Sequence, residues 1–448
     1  MRRFAGGCVV LGLLALAGCR KAGAPAPAPR AVHVLPAPEV VRLLPAHLVD
    51  AEGWASDLVA AFAAAGIPGD LERVCGAVAV LEQESGFQAD PPVPGLADMV
   101  RKRLDEMAAS LGPPGKSAVQ SLLAERKPGD RRTFAQRLRT LRTERDLDLL
   151  FRDMLAAAHS DHPVAYRTAN LLDGLFRRSS LEDLNPVGTV GSMQVGVGWV
   201  LAHSHGRYRD ADAVRDMLFT REGGLLWGVQ RLWGYPARYP RTLFRFADYN
   251  AGEYASRNAA VQHALTRLTG LRLAADGDLL AYDRHGEPRA EESASLHALL
   301  AFAERSPEAE LAPADVRRDV RLEKQAEFES SPTYRAVQRA YQARFGKPLP
   351  AAELPDLELT SPKLQSRYST ARYARAVDAH HRACLARGQE PVEPPPGPPR
   401  ADELERLFPS PPAAVPADTD EEVALPDAGN EVVAPAGEEE TPGPDGGP

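Results

Sequence analysis

A chain of 448 residues has room for two or three average domains, but its composition argues that not all of it folds. The formal net charge is −8, yet 13 Asp/Glu against two Arg fall within residues 400–448, so the remainder is close to neutral. That balance excludes the concentrated basic stripe of a nucleic-acid surface, and no nucleic-acid partner is expected.

At the start, Arg2 and Arg3 precede an apolar run, Val9 to Ala17, too short to span a bilayer as a mature helix. The run closes in Leu16-Ala17-Gly18-Cys19, which resembles the lipobox of bacterial lipoproteins. That resemblance implies a signal peptide over 1–18 and a lipid-modified (palmitate-bearing) Cys19 that anchors the chain to the cell envelope. Arg20 at the next position implies sorting to the outer membrane of a Gram-negative cell. Residues 19–50 carry an Ala/Pro-rich tether, extending to about Pro45, of polyproline II character. Cys75 falls inside an apolar helix, where an inert buried thiol is the common state; pairing with Cys384 in an oxidising periplasm is the other reading.

A helix is expected over Ser56–Ala65, closed by Gly66-Ile67-Pro68-Gly69. The next runs from Leu71 to Glu84 with Asp70 as its N-cap, and Val74–Leu81 is apolar on all sides, as in a core helix. Residues 90–184 read as a helical insertion. Helices are expected over 96–111, 117–124, 133–158 and 164–176, with a break at Gly112-Pro113-Pro114-Gly115. Asn185–Gly198 is glycine-rich but carries no phosphate loop, GxGxxG turn or GxSxG elbow. Helical pattern resumes at Trp199, over 211–232 and over 259–271. Asp276-Gly277, within Leu273–Tyr282, is the strongest hairpin signal. Helices over 293–305, 316–345 and 368–386 make a C-terminal extension, residues 291–388. The acidic, Pro-rich tail, 389–448, buries too little apolar area to offset chain entropy. The fold class is mostly α, with one small β-hairpin.

Two carboxylates, Glu82 and Glu84, end the buried helix about 200° apart around its axis, so periodicity does not choose between them. Glu84-Ser85-Gly86-Phe87, Gly191-Ser192-Met193-Gln194 and Asp248-Tyr249-Asn250-Ala251-Gly252 resemble, in order, the three motifs of the lysozyme-like lytic transglycosylases. Those motifs read E-S-x-F, G-x-M-Q and A-Y-N-A-G. The resemblance implies a lysozyme-like domain over 51–290, peptidoglycan glycan strands as substrate, and Glu84 as a lone acid/base. Glu84 would protonate the leaving oxygen, then deprotonate the C6 hydroxyl of muramic acid to give a 1,6-anhydro sugar. Most glycosidases need two carboxylates instead. An apolar wall of Val80, Leu81 and Phe87 would favour the protonated acid.

The same resemblance gives Tyr249 the task of hydrogen-bonding the Glu84 carboxyl. It places Ser85, Ser192, Met193, Gln194 and Asn250 on the substrate, Gln194 through an amide suited to N-acetyl groups. Met193 reads equally as a core filler. Asp248 replaces the usual small Ala, and with Glu253 it leaves a second carboxylate and a hydrolytic outcome open. No cofactor is expected, and the histidines form no H-E-x-x-H metal site. One departure is that about a hundred residues separate Glu84 from Gly191, where the family keeps these motifs close. Taken with Val93-Pro94-Gly95, Asn185-Pro186 and Asp276–Leu280, the pattern over residues 50–385 resembles the YaiW-like proteobacterial lipoproteins. The alternative reading is a non-catalytic envelope lipoprotein that binds glycan or a protein partner through the same cleft.

Overall fold

The computed structural model describes residues 33–110, 112–161, 185–283, 286–306, 310–359 and 368–389. The expected signal peptide, Cys19, the helix expected over 164–176 and the acidic tail from residue 390 lie outside them. The described chain is mostly helical, with two short antiparallel strand pairs.

One helix forms where none is expected, and another starts early because a side chain caps the backbone ahead of the periodic stretch. α1 (Ala37–Leu43) forms inside the expected tether and buries Val40 and Leu43. α2 (Ala51–Ala65) begins at Asp50, whose carboxylate accepts from the Gly53 amide at 3.2 Å. α3 (Leu71–Glu84) is capped as expected by Asp70, which accepts from the Arg73 amide at 2.9 Å, and every residue from Val74 to Leu81 is buried.

In the insertion, α4 (Leu96–Ser110) and α5 (Gly112–Ala124) lead into α6 (Phe134–Leu138) and α7 (Glu144–Asp161). The Gly112-Pro113-Pro114-Gly115 stretch opens α5 instead of breaking the chain, since proline is tolerated in a first helical turn. The single helix expected over 133–158 is two. Thr133 and Gln136 form a capping box at the first. Thr143 and Asp146 exchange amide bonds at 3.2 Å each to start the second. Phe134, Leu138, Leu147 and Leu150 join the core that surrounds α3, so the insertion packs into the main body.

β1 (Thr189–Val190) and β2 (Val195–Gly196) pair inside the glycine-rich stretch, with Val190 opposite Val195. There follow α8 (Val197–His203), α9 (Ala211–Leu218), α10 (Arg221–Trp233), α11 (Leu243–Ala251) and α12 (Ala255–Thr269). A second core gathers Leu265 of α12, Leu299 and Phe302 of α13 (Ala294–Arg305), Val316 of α14 (Pro313–Asp319) and Val337 of α15 (Pro332–Phe345). The helix expected over 316–345 is interrupted because Asp319 turns to accept from the Thr333 amide (3.1 Å) and hydroxyl (2.7 Å), and Ser331-Pro332 restarts it.

No strands form at 273–282. The amides there are taken by side chains instead of a ladder: Gly277 donates to Gln262, and Leu279 and Leu280 donate to the buried Glu323. After β3 (Glu358–Leu359) and β4 (Tyr368–Ser369), α16 (Thr370–Gln389) returns to the first core. It lies antiparallel along α3, joined to it by the Cys75–Cys384 disulfide. The pairing reading therefore holds, and Cys75 is not an inert thiol.

Candidate functional site

Glu84 is the last residue of α3. Ser85 caps the helix, its amide reaching the Leu81 carbonyl at 3.2 Å, and Gly86 and Phe87 turn the chain at φ 57° and 62°. Phe87 is buried edge-on against Trp54, with ring centroids 5.4 Å apart, which fixes the turn. Glu84 itself is half-buried, and the Tyr373 hydroxyl of α16 donates to it at 2.5 Å. Glu82 faces elsewhere: His380 (2.5 Å) and Arg387 (3.2 Å) of the same helix hold it. Glu82 is thus held between α3 and α16 by His380 and Arg387, while Glu84 meets Tyr373 of the same helix.

The Gly191–Gln194 turn is set by close packing against α9 and α10. Gly191 sits at φ 85°, and a Cβ there would lie 2.2 Å from the Leu218 carbonyl oxygen. Met193 fills the space beside Gly228, where a Cβ would come within 2.2 Å of its sulfur. The Ser192 and Met193 side chains are both 0% exposed. They sit in the packing, so Met193 takes the core-filler alternative and neither side chain faces a ligand. Gln194 differs. It is half-buried at φ 50°, a left-handed conformation that costs a non-glycine residue on the order of 1 kcal/mol. Its amide oxygen accepts from Thr189 (3.0 Å), and its amide nitrogen donates to the Gly191 carbonyl (3.3 Å) and to Glu144 (3.3 Å). Glu144 opens α7, so the insertion reaches the second motif directly.

The third motif closes on the second. The Tyr249 hydroxyl donates to the Met193 carbonyl at 2.7 Å. Burial, and then the charge of nearby Glu84, push this phenol far above its ordinary range. The phenol that donates to Glu84, however, is Tyr373; the donation expected of Tyr249 goes to the Met193 carbonyl instead. The Asn250 side-chain oxygen accepts from Thr370 at 2.8 Å, so the first turn of α16 touches both the first and third motifs.

The two further carboxylates are occupied. Asp248, 1% exposed, accepts from the hydroxyls of Tyr235 (3.0 Å) and Tyr239 (2.6 Å) and from the Ser256 amide (2.6 Å). Burial raises its pKa, against those bonds. Glu253 accepts from the Trp199 indole at 3.0 Å and pairs with Arg231. Asp248 is thus enclosed within the protein, while Glu253 is held against α8 and α10. Among the described residues no group of three His, Cys, Asp or Glu is placed to hold a metal ion.

Tyr373, Thr370 and Glu144 carry no motif, so sequence reading misses them. One signal does point to Tyr373. If Cys75 and Cys384 are joined on antiparallel helices, nine residues beyond Cys75 and eleven before Cys384 rise about 14 and 16 Å, which sets Glu84 opposite Tyr373.

A family model described as "Protein of unknown function (DUF1615)" matches residues 47–387. The "Uncharacterized protein YaiW" of Escherichia coli (strain K12) is 34% identical over 378 residues, covering 84% of this chain and 96% of the relative. No solved structure is matched. Among the described residues, no helix is long and apolar enough to cross a membrane.

Proposed function

The chain belongs to the family of proteins of unknown function DUF1615, and on that premise we propose that it is a lipid-anchored, envelope-facing peptidoglycan lytic transglycosylase. Glu84 acts first as acid on the glycosidic oxygen and then as base on the C6 hydroxyl of muramic acid. Tyr373 orients its carboxyl. Gln194 and Asn250 face the sugar, and the Tyr249–Met193 bond holds the two motifs in register. Anchoring through Cys19 would keep the site beside the sacculus.

The observation that supports this reading most is the convergence of three separated motifs. Glu84 stands at the end of a buried helix, Tyr249 bonds the Gly191–Gln194 turn, and the first turn of α16 reaches Glu84 through Tyr373 and Asn250 through Thr370. The test is digestion of purified sacculi by the full chain. Release of soluble muropeptides by the native protein, and its loss in Glu84→Gln, is expected. Equal release by both proteins would refute the assignment.

A second reading draws on α16. Tyr373 already engages Glu84, and the disulfide fixes that helix along the site, as suits a cleft that binds glycan or a protein partner without cutting. It predicts co-sedimentation with sacculi, no soluble product, and no effect of Glu84→Gln on either.

A further inference from the structure

The opposite end of α3 from Glu84, about 20 Å away by the helical rise, borders a cavity of about 750 Å³. Its other wall is the loop between α10 and α11, Gly234-Tyr-Pro-Ala-Arg-Tyr-Pro-Arg-Thr242. This loop is held from within. Tyr235 and Tyr239 both donate to the buried Asp248, and two prolines fix φ at alternate turns of the chain. Arg245 braces it further. Its guanidinium lies over the rings of Trp233 (5.1 Å) and Tyr235 (4.8 Å) and donates to the carbonyls of Leu232, Tyr235 and Ala237.

With both tyrosines turned inward, the outward groups of the loop are the exposed Arg238 and Arg241. Among the described residues Arg238 has no carboxylate partner, and Arg245 is satisfied by neutral carbonyls alone. Arg241 reaches Asp378 at 3.4 Å with its side chain still 60% exposed. The acidic residues of the cavity, Asp70 and Glu72, have partners within its lining. Asp70 caps α3 and pairs with Arg73, and Glu72 accepts from Thr242 at 2.6 Å. Four arginines (Arg73, Arg238, Arg241 and Arg245) against Asp70 and Glu72 thus leave the lining with an excess of positive charge on a braced loop, and guanidinium forks favour planar or tetrahedral anionic oxygens.

We infer that this cavity binds a small ligand carrying two anionic oxygen groups, carboxylate or phosphate, that meet Arg238 and Arg241. The frame is already built, so little ordering cost opposes binding. This site is separate from Glu84 and does not depend on what that residue does. Asp248, in place of the small residue of the resembled motif, serves here as the anchor of the anion-binding loop.

Titration calorimetry of the full chain with citrate and with inorganic pyrophosphate tests the site. Saturable binding of one or both is expected, and the preferred probe distinguishes carboxylate from phosphate. The affinity should fall at least about tenfold in the Arg238→Ala/Arg241→Ala double variant and in single Arg238→Glu, since each removes charge-assisted bonds. Glu84→Gln should leave it unchanged. Both arginines are exposed, so these variants should keep the native melting curve. Absence of saturable binding by either probe, or binding that survives the double substitution, would overturn the inference.

Discussion

Tyr373 and Glu84 share a hydrogen bond across 289 residues of sequence. Tyr373→Phe removes the donor but keeps the ring. If the bond orients Glu84 for proton transfer, turnover on glycan should fall up to about a hundredfold with little change in substrate affinity, because misplacing a reacting group costs on that scale. Kinetics of soluble-product release would measure it, with a thermal melt close to the native one as the accompanying result. Asp248 makes a different prediction. Burial raises its folded pKa above the ordinary 3.8, so the native state holds a proton that the unfolded chain has lost. The contribution of this residue to stability is thus fully present below that ordinary value and declines as pH rises through the raised one. Urea unfolding at a series of pH values should show that decline in the native protein and a flatter curve in Asp248→Asn.

At the scale of elements, α3 and α16 form the frame of the site. The Cys75–Cys384 bond spans 309 residues, and removing a native disulfide of this kind costs about 2–5 kcal/mol. Cys75→Ser/Cys384→Ser should lower the urea midpoint accordingly, and reduction of the native protein should reproduce the shift. Gly228 of α10 is a second control point. Gly228→Ala drives a methyl into Met193 and should destabilise by about 1–3 kcal/mol while displacing the Gln194 turn. Chemical denaturation and the Tyr249 environment in NMR spectra report the two effects.

The helices themselves were readable because Val74–Leu81 and Asp70 announce a capped core helix, and the ordered motifs mark the three stretches of the candidate site. Their boundaries were less so. Thr143 with Asp146, and Asp319 with Thr333, cut long periodic stretches through side-chain bonds that periodicity does not register. The Asp276-Gly277 hairpin signal failed for the same reason: Gln262 and Glu323, distant in sequence, took its amides. Thr370, Tyr373 and Glu144 were hidden because each reaches the site from an element without a motif, and only the disulfide links one of them to it.

On the scale of the whole molecule, two apolar cores share the described chain. The first surrounds α3, and the second gathers α12 to α15. The final helix crosses back from the end of the described chain to the first core and sets Thr370 and Tyr373 against Asn250 and Glu84. Truncation before Thr370 should therefore abolish activity and lower stability together, as measured by product release and thermal melting.

In the proposed reaction one carboxylate, Glu84, breaks the glycan with the sugar's own hydroxyl as nucleophile. Digesting sacculi in heavy-oxygen water and weighing the products by mass spectrometry tests it most directly. The account predicts 1,6-anhydro ends without solvent oxygen, lost in Glu84→Gln. Reducing ends that carry solvent oxygen, or anhydro products that persist in Glu84→Gln, would contradict it.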